Sequence, residues 1–342
     1  MVSTLQSWPE PVVRVQSLSD SGINAIPECY VKPIYDRPSL LDLQPIDANI
    51  PVIDLANLDS DDPTLRKTTL DLISDASRQW GFFQVINHGV SHHLMESTRR
   101  IWREFFHLPL HMKQEYANSP TTYEGYGSRL GVEKGAKLDW SDYFFLHFLP
   151  VSMRDERKWP AQPLSCREVV GEYNEEVMKL CGKLMRLFSL NLGLEEDYLE
   201  KAFGGDEIGA SLRVNFYPKC PQPDLTLGIS PHSDPGGITI LLPDDHVSGL
   251  QVRKDDAWVT VISNAKYRSV EHRVIVNSNE ERVSLAFFYN PKGDILIQPA
   301  KQLITNEEPA LYPPMTFNEY RTFIRLNGLH GKSQVESLKS PR

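Results

Sequence analysis

Residues Ile229–Leu242 read ISPHSDPGGITILL: an apolar run, a His-Ser-Asp triplet, a Pro-Gly-Gly turn and a second apolar run. In extended chain, residues i and i+2 project to one face, so the His232 imidazole and the Asp234 carboxylate can converge on one point. Alone, the triplet is weak, because a solvated turn with a capping aspartate has the same pattern. Its surroundings carry more weight. After Gly209 the chain breaks into short β-rich runs, LRVNFY, LTLGIS, GITILL, GLQV, WVTVI, SVEHRVIV, RVSLAFFYN and ILIQP. Their regular spacing predicts an all-β sandwich or barrel, with RKDDA and NSNEE as hairpin turns.

Downstream, SVEHRVIV places His272 on one strand of an expected hairpin, and RVSL places Arg282 and Ser284 on its partner. His232, Asp234 and His272 make two imidazoles and a carboxylate, the ligand set of non-haem Fe(II) oxygenases with open positions left over. Arg282 and Ser284 are again i and i+2. An arginine inside a barrel needs an anion, and its fork suits bidentate capture of a carboxylate. The competing reading is a surface pair with Glu280 or Glu281, which the flanking Val283 and Leu285 disfavour.

Upstream the texture is mixed. IPVIDLANL (50–58) reads as a short buried strand, 62–80 as a helix capped by Asp61 or Asp62, and 81–89 as a strand closed by a glycine turn. A second helix covers about 91–106, where Pro109 ends or restarts it. From Val169, apolar residues at spacings of three and four predict a long helix to about Asn191. TFNEYRTFIRLNG (316–328) predicts a last helix. His88, His92 and His93 have tempting spacing, but read better as solvated residues at a helix start.

The fold class is therefore mixed α+β: a C-terminal double-stranded β-helix, jelly-roll or cupin-like, with an N-terminal α/β region and flanking helices. We expect an extended arm (1–45), an N-terminal region (46–165), a connecting helix (166–205), the barrel (206–305) and a C-terminal helix and tail (306–342). The net charge of −9 and the lack of long basic runs argue against nucleic acid and anionic membranes. Four scattered cysteines without close pairing point to a reducing compartment. No segment resembles a signal or a membrane span. The expectation is a monomer of the cytoplasm, with the nucleus as a second location.

RVNFYPKCPQPDLTLGISPHSDPGGITILL and KYRSVEHRVIVNSNEERVSLAFFYNP strongly resemble the plant 2-oxoglutarate- and Fe(II)-dependent dioxygenases, as do IPVIDL and WGFFQVINHGV. The resemblance implies Fe(II) held by His232, Asp234 and His272. It implies 2-oxoglutarate held by Arg282 and Ser284, with Tyr217 adding a hydroxyl and Asn215 contacting the cosubstrate or ordering the site. Ascorbate is the implied reductant and O₂ a co-reactant. GLQVRKDDAWVTV, FNEYRTFIR and GKSQVESL resemble the jasmonate-induced branch, whose members hydroxylate jasmonic acid; flavonoid or other hormone substrates are the alternative within the family. Arg321 and Arg325 are i and i+4, and Phe317 lies one turn earlier. With Arg213 they would clamp an acidic substrate walled by Phe145, Phe288 and Phe317. The competing readings are a solvated helix face paired with Glu319 and a plain core phenylalanine.

The likeness has one gap. Between Val261 and Ser263, a segment of roughly one strand with its turns, on the order of 15 residues, is missing relative to the family. Losing a barrel strand unpairs its neighbours and could displace His272. Either an adjacent segment repairs the ladder, or the chain is a shortened isoform with an impaired iron site. A chain so impaired, keeping its arginines, would be a non-catalytic hormone-binding protein.

Overall fold

The computed structural model of the chain describes residues 7–38, 49–129, 131, 133–253, 263, 264, 266, 267 and 269–327, without the side chains of 323–327. In chain order, the N-terminal half runs α1 (Val15–Asp20), β1 (Val52–Asp54), α2 (Pro63–Gln79), β2 (Gln84–Ile86), α3 (His92–His107), α4 (Leu110–Gln114), β3 (Gly125–Gly127) and β4 (Asp142–Leu149). Then come α5 (Cys166–Asn191) and α6 (Tyr198–Phe203). The barrel half runs β5 (Gly209–Tyr217), β6 (Ile229–His232), β7 (Ile238–Leu242), β8 (Leu250–Val252), β9 (His272–Val274) and β10 (Arg282–Asn290). β11 (Leu296–Ile297), β12 (Met315–Thr316) and α7 (Phe317–Asn327) close the described chain.

Helix boundaries follow local chemistry. Asp62 caps α2 by accepting from the Thr64 amide at 2.8 Å, and Pro63 occupies the first helical position, where its missing N–H costs nothing. Gly81 then turns the chain with a φ of +64°. The apolar stripe of α5 buries Val170, Tyr173, Val177, Leu180, Leu184 and Leu187. Pro109 ends α3 and starts α4. The N-terminal arm is less extended than its composition suggests: it carries α1 and two 3-10 turns, and Val15, Ile26 and Tyr30 pack in a cluster with Trp140, Ile229 and Val274.

Two sheets form the double-stranded β-helix. The larger has the order β3-β4-β5-β10-β7 and the smaller β6-β9-β8. The chain from β5 to β8 alternates between them. This corrects one expectation. β9, with His272, and β10, with Arg282 and Ser284, are not hairpin partners: β9 pairs with β6 and β8, whereas β10 pairs with β5 and β7. NSNEE is thus a crossover between sheets, and His272 faces Arg282 across the interior. The stretch 254–262, with WVTVI, most of the RKDDA turn and the shortened junction, lies outside the described residues. Among the described residues β7 and β8 each end their sheet with one strand neighbour.

The larger sheet sorts its side chains by parity. Phe144, Leu146, Leu212, Val214, Phe216, Leu285 and Phe287 share a core with Trp102, Phe105, Phe106 and Leu184 of the helices. The residues between them turn the other way. Register aligns Tyr143, Asn215 and Ser284 in one row, then Phe145, Arg213 and Ala286, then His147, Ser211 and Phe288.

A buried carboxylate ties the arm to this sheet. Asp142, at the start of β4, is fully buried and accepts from the Val15 and Gln16 amides, at 2.9 Å each, thereby capping α1 from a distant strand. Replacing Asp142 with Ala strands both donors, so urea unfolding should show a loss of about 2–4 kcal/mol. Amide exchange should accelerate first at Val15 and Gln16.

Candidate metal and cosubstrate centre

β6 ends at His232 and β9 begins at His272, and the pairing sets these two residues opposite each other. Their ring centroids are 4.3 Å apart. Asp234 follows two residues beyond the strand, where Pro235, Gly236 and Gly237 turn the chain into β7. Its Oδ1 lies 3.6 Å from His232 Nε2 and 4.0 Å from His272 Nε2. All three donor atoms sit within 4.8 Å of one another, and they form the one such cluster among the described residues. Ligands sharing an ion at about 2.0–2.2 Å each stand roughly 3.0–3.5 Å apart, so the three atoms surround one point at somewhat wider spacing than a bound ion would set.

The rings are aimed by their other nitrogens. His232 Nδ1 donates to the Ser230 carbonyl at 2.9 Å and His272 Nδ1 to that of Val270 at 3.3 Å. Each Nε2 lone pair is thereby left for the shared point. Burial alone would lift the Asp234 carboxyl, but His272 and His232 beside it hold it well below the ordinary range. Burial, with the neighbouring His232 ring, pushes His272 down and so favours the neutral, ligating form. Asp234 in turn draws His232 upward against its burial, favouring a proton where an ion would otherwise sit. Two imidazoles and one anionic oxygen on a single side fit Fe(II) and leave the opposite positions open.

Across the interior, Arg282 is 4% exposed and Ser284 2%, facing Tyr217 and Asn215 on β5. Arg282 Nη1 donates to Ser284 Oγ at 3.2 Å, and its Nε to the Val247 carbonyl at 3.1 Å. Its Cζ is 5.2 Å from the Tyr217 ring centroid. Neither Glu280 nor Glu281 pairs with it; Glu281 pairs with His107 instead, at 2.8 Å. A buried guanidinium flanked by two hydroxyls fits the far carboxylate of 2-oxoglutarate.

Arg213, Arg321, Phe145, Phe288 and Phe317 line the same cavity, of about 1650 Å³, as the metal cluster and Arg282. This exceeds the roughly 300–1,000 Å³ of a single small-molecule pocket and leaves room for a second molecule beside the cosubstrate. Arg213 stacks with its Cζ 3.9 Å from the Tyr143 ring centroid, and its Nε donates to Asn215 Oδ1 at 2.6 Å. Asn215 thus orders Arg213. Arg321 lies over Phe317, 5.7 Å from Cζ to ring centroid. Arg325 is on α7, with its side chain outside the described residues.

Tyr143 and His147 were missed in the sequence, although DYFFLHFL shows Tyr143, Phe145 and His147 at i, i+2 and i+4 and all three line the cavity. Lys32 left no local signal: its Nζ donates to Asp139 at 2.7 Å and to Ser230 Oγ at 2.9 Å, joining three distant segments beside His232. The His88, His92 and His93 group joins no metal-type cluster among the described residues; His88 Nδ1 accepts from the Val90 amide at 3.2 Å.

Comparisons with known proteins agree with this geometry. Residues 50–162 match the non-haem dioxygenase in morphine synthesis N-terminal family, and residues 208–291 the 2OG-Fe(II) oxygenase superfamily. Jasmonate-induced oxygenase 2 of Arabidopsis thaliana is 58% identical over 356 residues, covering 99% of this chain and 96% of that protein. Flavanone 3-dioxygenase 2 of Oryza sativa subsp. japonica is 40% identical, covering 89% and 92%. The crystal structure of JOX2 in complex with 2OG, Fe and JA matches with a TM-score of 0.90 at 58% identity, covering 98% of this chain and 100% of that one. The 356-residue alignment is longer than the 342 residues of this chain, so that relative carries residues with no counterpart here. The chain belongs to the 2OG-Fe(II) oxygenase superfamily and is an Fe(II)- and 2-oxoglutarate-dependent dioxygenase.

Proposed function

We propose that this dioxygenase hydroxylates jasmonic acid to 12-hydroxyjasmonic acid, a reaction that inactivates the hormone. The observation that carries the reading is the cavity wall opposite the metal cluster. It joins two arginines, Arg213 and Arg321, to three phenylalanines, Phe145, Phe288 and Phe317. Such a wall suits a small molecule with a carboxylate at one end and an apolar ring at the other. The JOX2 structure, which contains JA, gives independent support at 58% identity.

In this reading His232, Asp234 and His272 hold Fe(II), while Arg282, Ser284 and Tyr217 take the far carboxylate of 2-oxoglutarate. Bound together, iron and cosubstrate supply oxidative decarboxylation to succinate and CO₂ and the oxidation of a C–H bond by O₂. The chain's own task is placement. Asn215 fixes Arg213, the Tyr143 face steadies its guanidinium, and Arg213 and Arg321 clamp the substrate carboxylate. The phenylalanines seat the ring and exclude water from the reacting carbon. Neutral flavonoids would leave half-buried Arg213 without an anion, which disfavours them although flavanone 3-dioxygenase 2 is 40% identical. The four free thiols suit a reducing compartment, the cytoplasm or nucleus.

Incubation with Fe(II), 2-oxoglutarate and jasmonic acid should yield succinate and 12-hydroxyjasmonic acid in equal amounts by mass spectrometry. Jasmonate-independent succinate, or turnover of flavanones alone, would refute the assignment. Arg321→Ala should raise the jasmonate KM by about ten- to a hundredfold, as expected for a lost charge-assisted hydrogen bond, and leave the 2-oxoglutarate KM in place. Asp234→Ala should lose Co(II) uptake, followed as visible absorption during titration of the purified chain.

A further inference from the structure

One face of α3 carries Arg99, Arg103 and His107 at i, i+4 and i+8. This basic stripe meets the barrel where the loop after β7 passes the start of β10. Arg99 Nε donates to the Pro243 carbonyl at 3.0 Å, and Arg103 Nη2 to Asp244 Oδ2 at 2.9 Å and Asp245 Oδ1 at 2.5 Å. His107 reaches Glu281, the residue preceding Arg282.

Asp244 is the hub of these contacts. Its side chain is 1% exposed. Oδ1 accepts from the His246 and Val247 amides at 2.9 and 3.0 Å, and Oδ2 accepts from the Val283 amide at 2.9 Å as well as from Arg103. Burial alone would lift this carboxyl; the three amides and Arg103 hold it below the ordinary range, so it is ionised. Two of its partners bear directly on the cosubstrate donors. Val283 lies between Arg282 and Ser284, and the Val247 carbonyl accepts from Arg282 Nε at 3.1 Å.

The strand ladder explains why a side chain is needed here. β10 pairs with β7 from Tyr289 down to Leu285 opposite Leu242, and there β7 ends. Continuing that register sets Asp244 opposite Val283, so its carboxylate stands in for the missing strand carbonyl. Without it, the first three residues of β10 have the β5 ladder on one side and no backbone partner from β7 on the other.

We propose that Asp244, held by Arg103, is a positioning residue for 2-oxoglutarate, directing Arg282 and Ser284 at the far carboxylate without touching it. The inference rests on the reading of Arg282 and Ser284 as the cosubstrate anchor. Losing the Asp244 carboxylate frees the Val247 loop and the Val283 amide together, so the guanidinium loses its fixed plane while the metal cluster and the Arg213 wall stay in place.

The test is calorimetric titration of 2-oxoglutarate into the Mn(II)-loaded full chain, paired with separate KM values for 2-oxoglutarate and jasmonic acid. Asp244→Ala should raise the 2-oxoglutarate Kd and KM by about tenfold or more, with the jasmonate KM and the kcat at saturating cosubstrate within about threefold. Asp244→Asn, which keeps one acceptor oxygen, should fall between wild type and Asp244→Ala, and Arg103→Gln should raise the same constant less. If Asp244→Ala does not fold, Asp244→Asn and Arg103→Gln decide, and an unchanged 2-oxoglutarate Kd in both overturns the proposal. Parallel loss of both substrates' constants with a lowered Tm also overturns it, because that marks general destabilisation. Arg282→Gln separates the two layers. If it leaves the Kd unchanged, the anchor reading itself falls; if it raises the Kd while the Asp244 variants do not, only the positioning role falls.

Discussion

Burying a guanidinium costs on the order of several kcal/mol unless an anion and well-placed acceptors meet it. This chain sets two guanidiniums on one sheet face, Arg282 buried and Arg213 half-buried. Each is met by one neighbour two residues along its own strand and by one aromatic ring, and Arg282 also by the Val247 carbonyl. Arg213 has Asn215 and the Tyr143 face; Arg282 has Ser284 and the Tyr217 ring. Both retain donors for a carboxylate, so the interior is arranged around two anions of similar chemistry at different places. The apolar back of the same sheet, packed on α3 and α5, supplies the burial that makes those donors selective for anions over water.

The double-stranded β-helix is what separates the two kinds of chemistry. The smaller sheet carries His232 and His272, with Asp234 in the turn that follows, whereas the larger sheet carries Arg213, Arg282, Phe145 and Phe288, and α7 adds Phe317 and Arg321. Because β6 and β9 belong to one sheet and β5 and β10 to the other, the metal-type cluster and the Arg282–Ser284 pair reach one cavity from different sheets.

Much of this was legible in the chain because it is written in period two. HSD, RVS and RVNFY each place their chemistry at i and i+2, and the structure sets those residues on the cavity side as alternation demands. Helix ends were legible where a single residue dictates them, as at Asp62, Pro109 and Gly81. The contents of the barrel strands were clearer than their pairing, since β9 and β10 look like hairpin partners and only tertiary winding assigns them to different sheets. Lys32, Asp139 and Ser230 were out of reach for a different reason. Their contact joins three segments far apart in the chain, and no local pattern encodes it. Asp244 left no signal in the sequence because its value lies in completing a ladder that β7 leaves unfinished.

The winding also bears on the shortened segment before His272. β9 is the central strand of its sheet: Val274 pairs with Ile229 on one side and Leu250 on the other, and His272 pairs with His232 and Val252. The Gly228 amide donates to the Val274 carbonyl at 2.7 Å, the Ile275 amide to Gly249 at 2.9 Å, and the Arg253 amide to Glu271 at 2.9 Å. The His272 ring is aimed by the Val270 carbonyl, two residues away. All of these partners lie outside 254–262. The third donor of the metal cluster is thus placed by strands that flank it and by its own neighbours, so a loss of length ahead of β9 need not move it.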